Sequence, residues 1–177
     1  MKISWKRAFG VGGFLAGLCG VLALAIAGTD LLTRDTIARN KLEKEQNGLR
    51  KIFGGDANYG EATPLEDAER PTLVKYWTVH EGEETLGRVY SAKGKNAYGE
   101  VALLIGVYSD FTLGNIVAIE NTESYGQTLE DGYLLPYSQS NDKESAVEKV
   151  NCGATYGAKL CREMILAAKS HYQGGQA

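Results

Sequence analysis

The residues with the clearest capacity for chemistry are Asn151-Cys152-Gly153-Ala154-Thr155, directly ahead of a segment that reads as the last helix of the chain. This order delivers a hydroxyl to the point where a helix begins. Backbone N–H groups in a first helical turn have no intrahelical acceptor, and the positive end of the helix dipole lies beside them. An oxyanion such as a phosphate is therefore favoured there. The small residues Gly153 and Ala154 let such a group come close to the backbone. Taken locally, Asn151 or Thr155 would serve equally well as a plain helix cap, and this segment alone leaves both readings open.

Other reactive side chains are few. The cysteines are Cys19, Cys152 and Cys161. Cys19 falls inside an apolar block. Cys152 and Cys161 are nine positions apart, about 13 Å along a helix, too far for a disulfide with both ends on one helix. Both read as small buried hydrophobes. His80 and His171 have no ligand-spaced partners, so no metal site is expected, and no residue is expected to be catalytic in its own right. A formal net charge of −3 gives no basic field to hold nucleic acid.

What must position Thr155 is one domain on an anchor. Residues 8–27, AFGVGGFLAGLCGVLALAIA, carry no charge, and twenty helical residues rise about 30 Å, the thickness of a hydrocarbon core. Lys2, Lys6 and Arg7 precede the block, which by the positive-inside tendency makes 1–7 a cytoplasmic tail and sends the rest outward. Ala25-Ile26-Ala27 also fits a signal-peptide cleavage pattern, although the block is longer than a usual signal core. Gly13 and Gly17, and Ala16 and Gly20, put small residues on neighbouring faces suited to helix–helix approach.

Beyond the anchor, 36–53 is charged and helix-favouring, a stalk helix weakened by Gly48 and stopped by Gly54-Gly55. Residues 54–71 are turn-forming and acidic, hence a surface loop. Strands are predicted at 73–79 and 86–92, as a hairpin, then at 100–108 as a central strand with 113–120 as its partner. Residues 121–142 have few hydrophobic repeats and many turn formers. A short helical segment is predicted over 143–149, and an amphipathic helix over 156–172 with Leu160, Met164, Ile165 and Ala168 on one face. The fold class is α+β: a single N-terminal transmembrane helix, then one domain (54–173) with a mostly antiparallel sheet backed by helices. Residues 174–177 form a disordered tail.

The segment ending at Thr155 resembles the (S/T)GAT flavinylation motif of the FMN-binding domain found in the G subunit of Rnf electron-transport complexes. The same domain occurs in the C subunit of sodium-pumping NADH:quinone reductases. Two further segments share the resemblance. Tyr98-Gly99-Glu100 followed by VALLIGVYSD looks like the family's Gly-Tyr-Gly turn and central strand. Asn121-Thr122-Glu123-Ser124-Tyr125-Gly126 looks like its ETPGLG loop, keeping Thr122 and Gly126. With the span, stalk and final helix, the likeness covers most of the chain. Cys152 stands where the family has serine or threonine, and Lys149 where it usually has aspartate.

The resemblance implies FMN joined through its phosphate to Thr155 by a flavin transferase, with Cys152, Gly153 and Ala154 shaping the turn. Thr122, Glu123, Tyr125 and Gly126 would face the flavin ring, Tyr125 by stacking. Lys159 and Arg162 read as solvated helix residues that could offset phosphate charge. The implied setting is an Rnf-type membrane complex coupling ferredoxin-to-NAD electron transfer to Na⁺ or H⁺ translocation, with other membrane subunits as partners. Two alternatives are an anchored extracytoplasmic binding or sensor module without redox function, and a covalent-flavin carrier for an extracellular reductase.

Overall fold

The central strand explains the architecture. Strand β5 (Gly99–Tyr108) carries an unbroken apolar run in which Val101 to Val107 are all buried. Such a run needs cover on both faces of its sheet. In the computed structural model, which describes residues 5–175, it has that cover. Val101, Leu103, Ile105 and Val107 face one core cluster, together with Tyr90, Met164 and Ile165. Leu104 joins a second cluster with Leu49, Ile52, Trp77, Val79 and Val89. The period-two alternation of a pleated strand thus divides one segment between two layers.

The sheet is antiparallel throughout. Helix α1 (Trp5–Phe53) precedes it, followed by β1 (Asn58–Tyr59), β2 (Thr63–Pro64), β3 (Leu73–Glu81), β4 (Glu84–Asn96), β5 and β6 (Leu113–Asn121). The order is β1-β3-β4-β5-β6, with β2 also pairing β3. The expected hairpin and central pair are present, each strand longer by one to four residues at an end. Two short strands lie within the stretch expected to be surface loop. They bridge to β3 through Tyr59 opposite Val79 and Thr63 opposite Tyr76.

The chain divides into two units at Glu43/Lys44. In the first, Gly12–Thr29 is long and apolar enough to cross a membrane and none of it is buried within the protein. Phe14, Leu15, Leu18, Val21, Leu22, Leu24 and Ile26 are all exposed, an apolar surface that fits a membrane anchor. Residues 1–4 of the expected cytoplasmic tail, and 176–177 of the expected C-terminal tail, lie outside the described residues; Gly174 closes the last helix.

In the second unit, the end of α1 lies on β3–β5. A Cβ at Gly48 would come within 2.7 Å of the Leu104 side chain. The glycine that weakens the helix in isolation is what permits this close approach. Lys75 ties the same helix down through Glu45 at 2.9 Å.

Residues 121–142 depart from expectation. They hold α2 (Gly126–Leu129), a π-helical turn (Glu130–Leu134) and α3 (Leu135–Gln139). The physical reason is a concealed period: Leu129, Tyr133 and Tyr137 recur every four residues and are buried on the core. The Tyr133 hydroxyl donates to the Val147 carbonyl at 2.9 Å, and that of Tyr137 to the Gly114 carbonyl at 3.1 Å. Amphipathic tyrosines hid the repeat in a polar stretch rich in turn formers. The next helix, α4 (Lys143–Ala146), is shorter than expected, capped by Asp142 accepting from the Ser145 N–H at 3.0 Å.

Helix α5 (Thr155–Gly174) covers one sheet face with Ala158, Cys161, Met164, Ile165, Ala168 and Tyr172, all buried. Ile165→Ala should cost about 2–5 kcal/mol, the range for deleting a fully buried aliphatic side chain, as checked by denaturant melts. Arg162 makes a paired contact with Glu148 (2.8 and 2.9 Å), and Lys169 meets Glu144 at 2.6 Å. These are surface ties and individually weak.

At its far end α5 places His171 Nδ1 3.1 Å from the Tyr90 hydroxyl. Burial, then the charges of Arg70 and Arg88, hold the imidazole below its ordinary pKa, with Asp67 opposing them. The unfolded chain therefore takes up this proton first as pH falls through about 6.5. Stability should decline below that pH and level off once the folded imidazole is also charged. The carboxyls of Asp67, Asp110 and Asp142 are held low by hydrogen bonds, so their contribution is lost only below about pH 4. Thermal midpoints between pH 7.5 and 5.5 should fall for the native chain and fall less for His171→Gln.

Candidate functional site

The turn ahead of α5 is built to expose its first residues. Gly153 has φ +84°, a left-handed conformation that glycine adopts without strain. A Cβ there would also sit 3.1 Å from the Thr128 methyl. Ala154 is the cap residue and offers no side-chain acceptor, and Thr155 is the first residue of the helix. Neither Asn151 nor Thr155 fills the cap position, so the α5 dipole and its first N–H groups remain turned toward the space beside Thr155.

That space is a cavity of about 240 Å³, bounded below by Gly153, Ala154, Thr155, Tyr156 and Gly157 and above by Tyr98, Glu123 and Tyr125. Three rings form its aromatic wall. Tyr98 lies 6.1 Å from Tyr125, edge to face, and 5.4 Å from Tyr156. The rings are 41%, 56% and 65% exposed, a concentration of accessible aromatic surface in one place. No lysine or arginine is among the eight lining residues, so a bound phosphate would be met by the helix terminus.

The upper side is strapped together from the β4–β5 turn and the loop after β6. Thr122 donates its backbone N–H to the Glu100 carbonyl at 2.9 Å, and its hydroxyl accepts from the Glu100 N–H at 3.0 Å. Ser124 donates its N–H to the Tyr98 carbonyl at 2.9 Å. Asn121 accepts from the Glu123 N–H and donates to the Gly126 carbonyl, at 3.2 and 3.1 Å. A Cβ at Gly99, where φ is +153°, would lie 2.5 Å from both the Glu123 Cα and the Thr122 carbonyl oxygen. The two segments touch backbone to backbone.

Five of the eight expected residues, Gly153, Ala154, Thr155, Glu123 and Tyr125, therefore line one cavity although they come from two distant segments. The other three stand behind it. Thr122 is engaged with Glu100, Gly126 opens α2, and Cys152 packs where a Cβ on Gly132 would meet its own Cβ at 2.8 Å. Cys161 is a core residue whose thiol burial pushes up to about 12, hence an inert one. Arg162 is taken by Glu148. A second, polar groove of about 580 Å³, with Tyr108, Asn115, Ser138 and Lys143 in its wall, contains none of the expected residues.

Sequence reasoning passed over Tyr156 and Gly157 and gave no role to the ring of Tyr98. Tyr156 and Gly157 adjoin the candidate acceptor, and Tyr98 belongs to the turn that resembles the family's Gly-Tyr-Gly turn, but neither segment on its own shows that the rings meet. An exposed tyrosine declares itself only once the fold brings two others to meet it.

The fold and site define a class: an α+β domain following a membrane-anchor-like helix, with a helix-terminal hydroxyl facing an aromatic-walled cavity. No family model matches the chain. The chain is similar to the G subunit of the Na(+)-translocating ferredoxin:NAD(+) oxidoreductase complex of Acetobacterium woodii, with 25% identity over 137 residues. That alignment takes in 71% of this chain and 66% of the relative.

Proposed function

We propose that this chain is an electron-transfer subunit of a membrane complex and carries FMN, esterified through its phosphate to Thr155. The observation that carries the reading is the position of that hydroxyl. It stands on the first turn of a 20-residue helix, at the floor of a cavity with three tyrosine rings in its wall. The similarity to a component of a ferredoxin:NAD(+) oxidoreductase complex supports the same reading. The residues present fit the group: the left-handed Gly153 opens the backbone to a phosphate, and the rings offer planar surface to an isoalloxazine.

When bound, FMN supplies the redox chemistry, and the polypeptide sets its position and surroundings. Thr155 fixes one end of the cofactor, and the first-turn N–H groups of α5 offset the phosphate charge. Tyr98, Tyr125 and Tyr156 restrict the other end and shield it from water, while the Thr122–Glu100 and Ser124–Tyr98 bonds keep the wall in place. A covalent link would prevent loss of the cofactor outside the cytoplasm.

In the proposed arrangement 1–7 is cytoplasmic, 8–27 spans the membrane, 36–53 is the stalk, and 54–173 lies outside. A flavin transferase installs the cofactor. The partners are the other membrane subunits of an Rnf-type complex that moves electrons between ferredoxin and NAD and translocates Na⁺ or H⁺.

Stacked phenol rings quench flavin emission. The chain purified after expression with a flavin transferase should therefore fluoresce weakly when folded and brighten several-fold in denaturant. Tyr125→Leu should raise the native signal. Protein that is colourless after acid precipitation would overturn covalent attachment.

A further inference from the structure

Glu123 is the one charged side chain that is buried among the described residues, 8% exposed, and three parts of the fold are shaped around it. Asn96 of β4 donates its side-chain N–H to one carboxylate oxygen. Gly99 accommodates its Cα. At the N-terminal turn of α5, a Cβ on Gly157 would fall 2.3 Å from its other oxygen, so position 157 has no side chain where the carboxylate lies. A buried carboxylate is costly to keep, and nothing in the packing demands one, since a glutamine of the same shape would accept the same hydrogen bond from Asn96. What distinguishes the native residue is its charge, and that charge lines the cavity beside Tyr125 and Thr155.

We propose that Glu123 is a tuning residue: its fixed negative charge lowers the reduction potential of a flavin held at Thr155. The inference rests on the FMN reading above. Adding an electron to a ring in this cavity adds negative charge next to an existing anion, so the reduced state is disfavoured. The polypeptide supplies this bias through Glu123 with no lysine or arginine in the lining to cancel it. Asn96 and Gly157 act through Glu123, one orienting the carboxylate and the other leaving room for it.

The test is potentiometric titration of the full chain, flavinylated by co-expression with a flavin transferase and kept in detergent, comparing native protein, Glu123→Gln and Glu123→Asp. Glu123→Gln should shift the one-electron equilibrium of the flavin that is bound toward reduction by about tenfold, equivalent to about 59 mV. Glu123→Asp, which keeps the charge, should stay near the native potential. A native potential in Glu123→Gln, or equal shifts in both variants, overturns the proposal and leaves a structural role. Should Glu123→Gln fold poorly, an unchanged potential after Asn96→Ala, which frees the carboxylate to turn toward solvent, overturns it as well. Absence of any flavin on the native chain is a different result, and it defeats the FMN reading instead.

Discussion

Thr155→Ala should remove all covalent flavin while leaving the domain folded. The threonine is half-buried on the first turn of α5, alanine is the best helix former, and no side-chain hydrogen bond of Thr155 contributes to the cap. Stability should change by less than about 1 kcal/mol, the size of surface substitutions that disturb no special feature. The flavin band of the denatured chain on a gel should vanish. Because no other residue of the cavity floor bears a hydroxyl except the phenol of Tyr156, no residual attachment is expected. Cys152→Ser restores the residue type that the resembling motif carries there, and should be flavinylated at least as fully as the native chain. A band that persists in Thr155→Ala would place the cofactor elsewhere.

Gly99→Ala should be among the most damaging single changes to the site. At φ +153° a side chain is strained whatever the space, and this one would also meet the backbone of Thr122 and Glu123 at 2.5 Å. Backbone strain of roughly 1–3 kcal/mol and overpacking of similar size act together, for a loss of about 3 kcal/mol or more in denaturant melts. The function should suffer beyond that figure. The β4–β5 turn and the 121–126 loop would be forced apart, and Tyr98 would separate from Tyr125. Flavin on the folded fraction should then be brighter and more accessible to a collisional quencher such as iodide. Native stability in Gly99→Ala would show that the two segments do not depend on this contact.

Much of the fold was legible because it is written in local periods. The apolar run of β5, the hairpin of β3 and β4, and the stripe of α5 each announce themselves within ten to twenty residues. The helices over 126–139 did not, because their buried side is made by Tyr133 and Tyr137, whose polar ends make them weak markers of a core. Gly48 was legible only as a defect, since its use depends on Leu104, more than fifty positions away in sequence.

The site divides in the same way. Gly153-Ala154-Thr155 is a contiguous motif and could be found from its own letters. Glu123 and Tyr125 were reachable only through the resemblance of their loop to a known one. Tyr98, Tyr156 and Gly157 depend on three segments converging, and no local pattern carries that information. The resemblance to an FMN-binding domain thus pointed to the floor of the cavity and to Glu123 and Tyr125 opposite it, while the meeting of Tyr98 and Tyr156 with Tyr125 had to be read from the fold.

The most direct measurement is the intact mass of the polypeptide extracted from membranes in which it was produced alongside a flavin transferase. The expected value is the chain plus one FMN less one water, with the added mass mapping to the peptide that contains Thr155. A chain that weighs only the sum of its amino acids, under conditions where the transferase modifies another substrate, contradicts flavin attachment and with it the electron-carrying role.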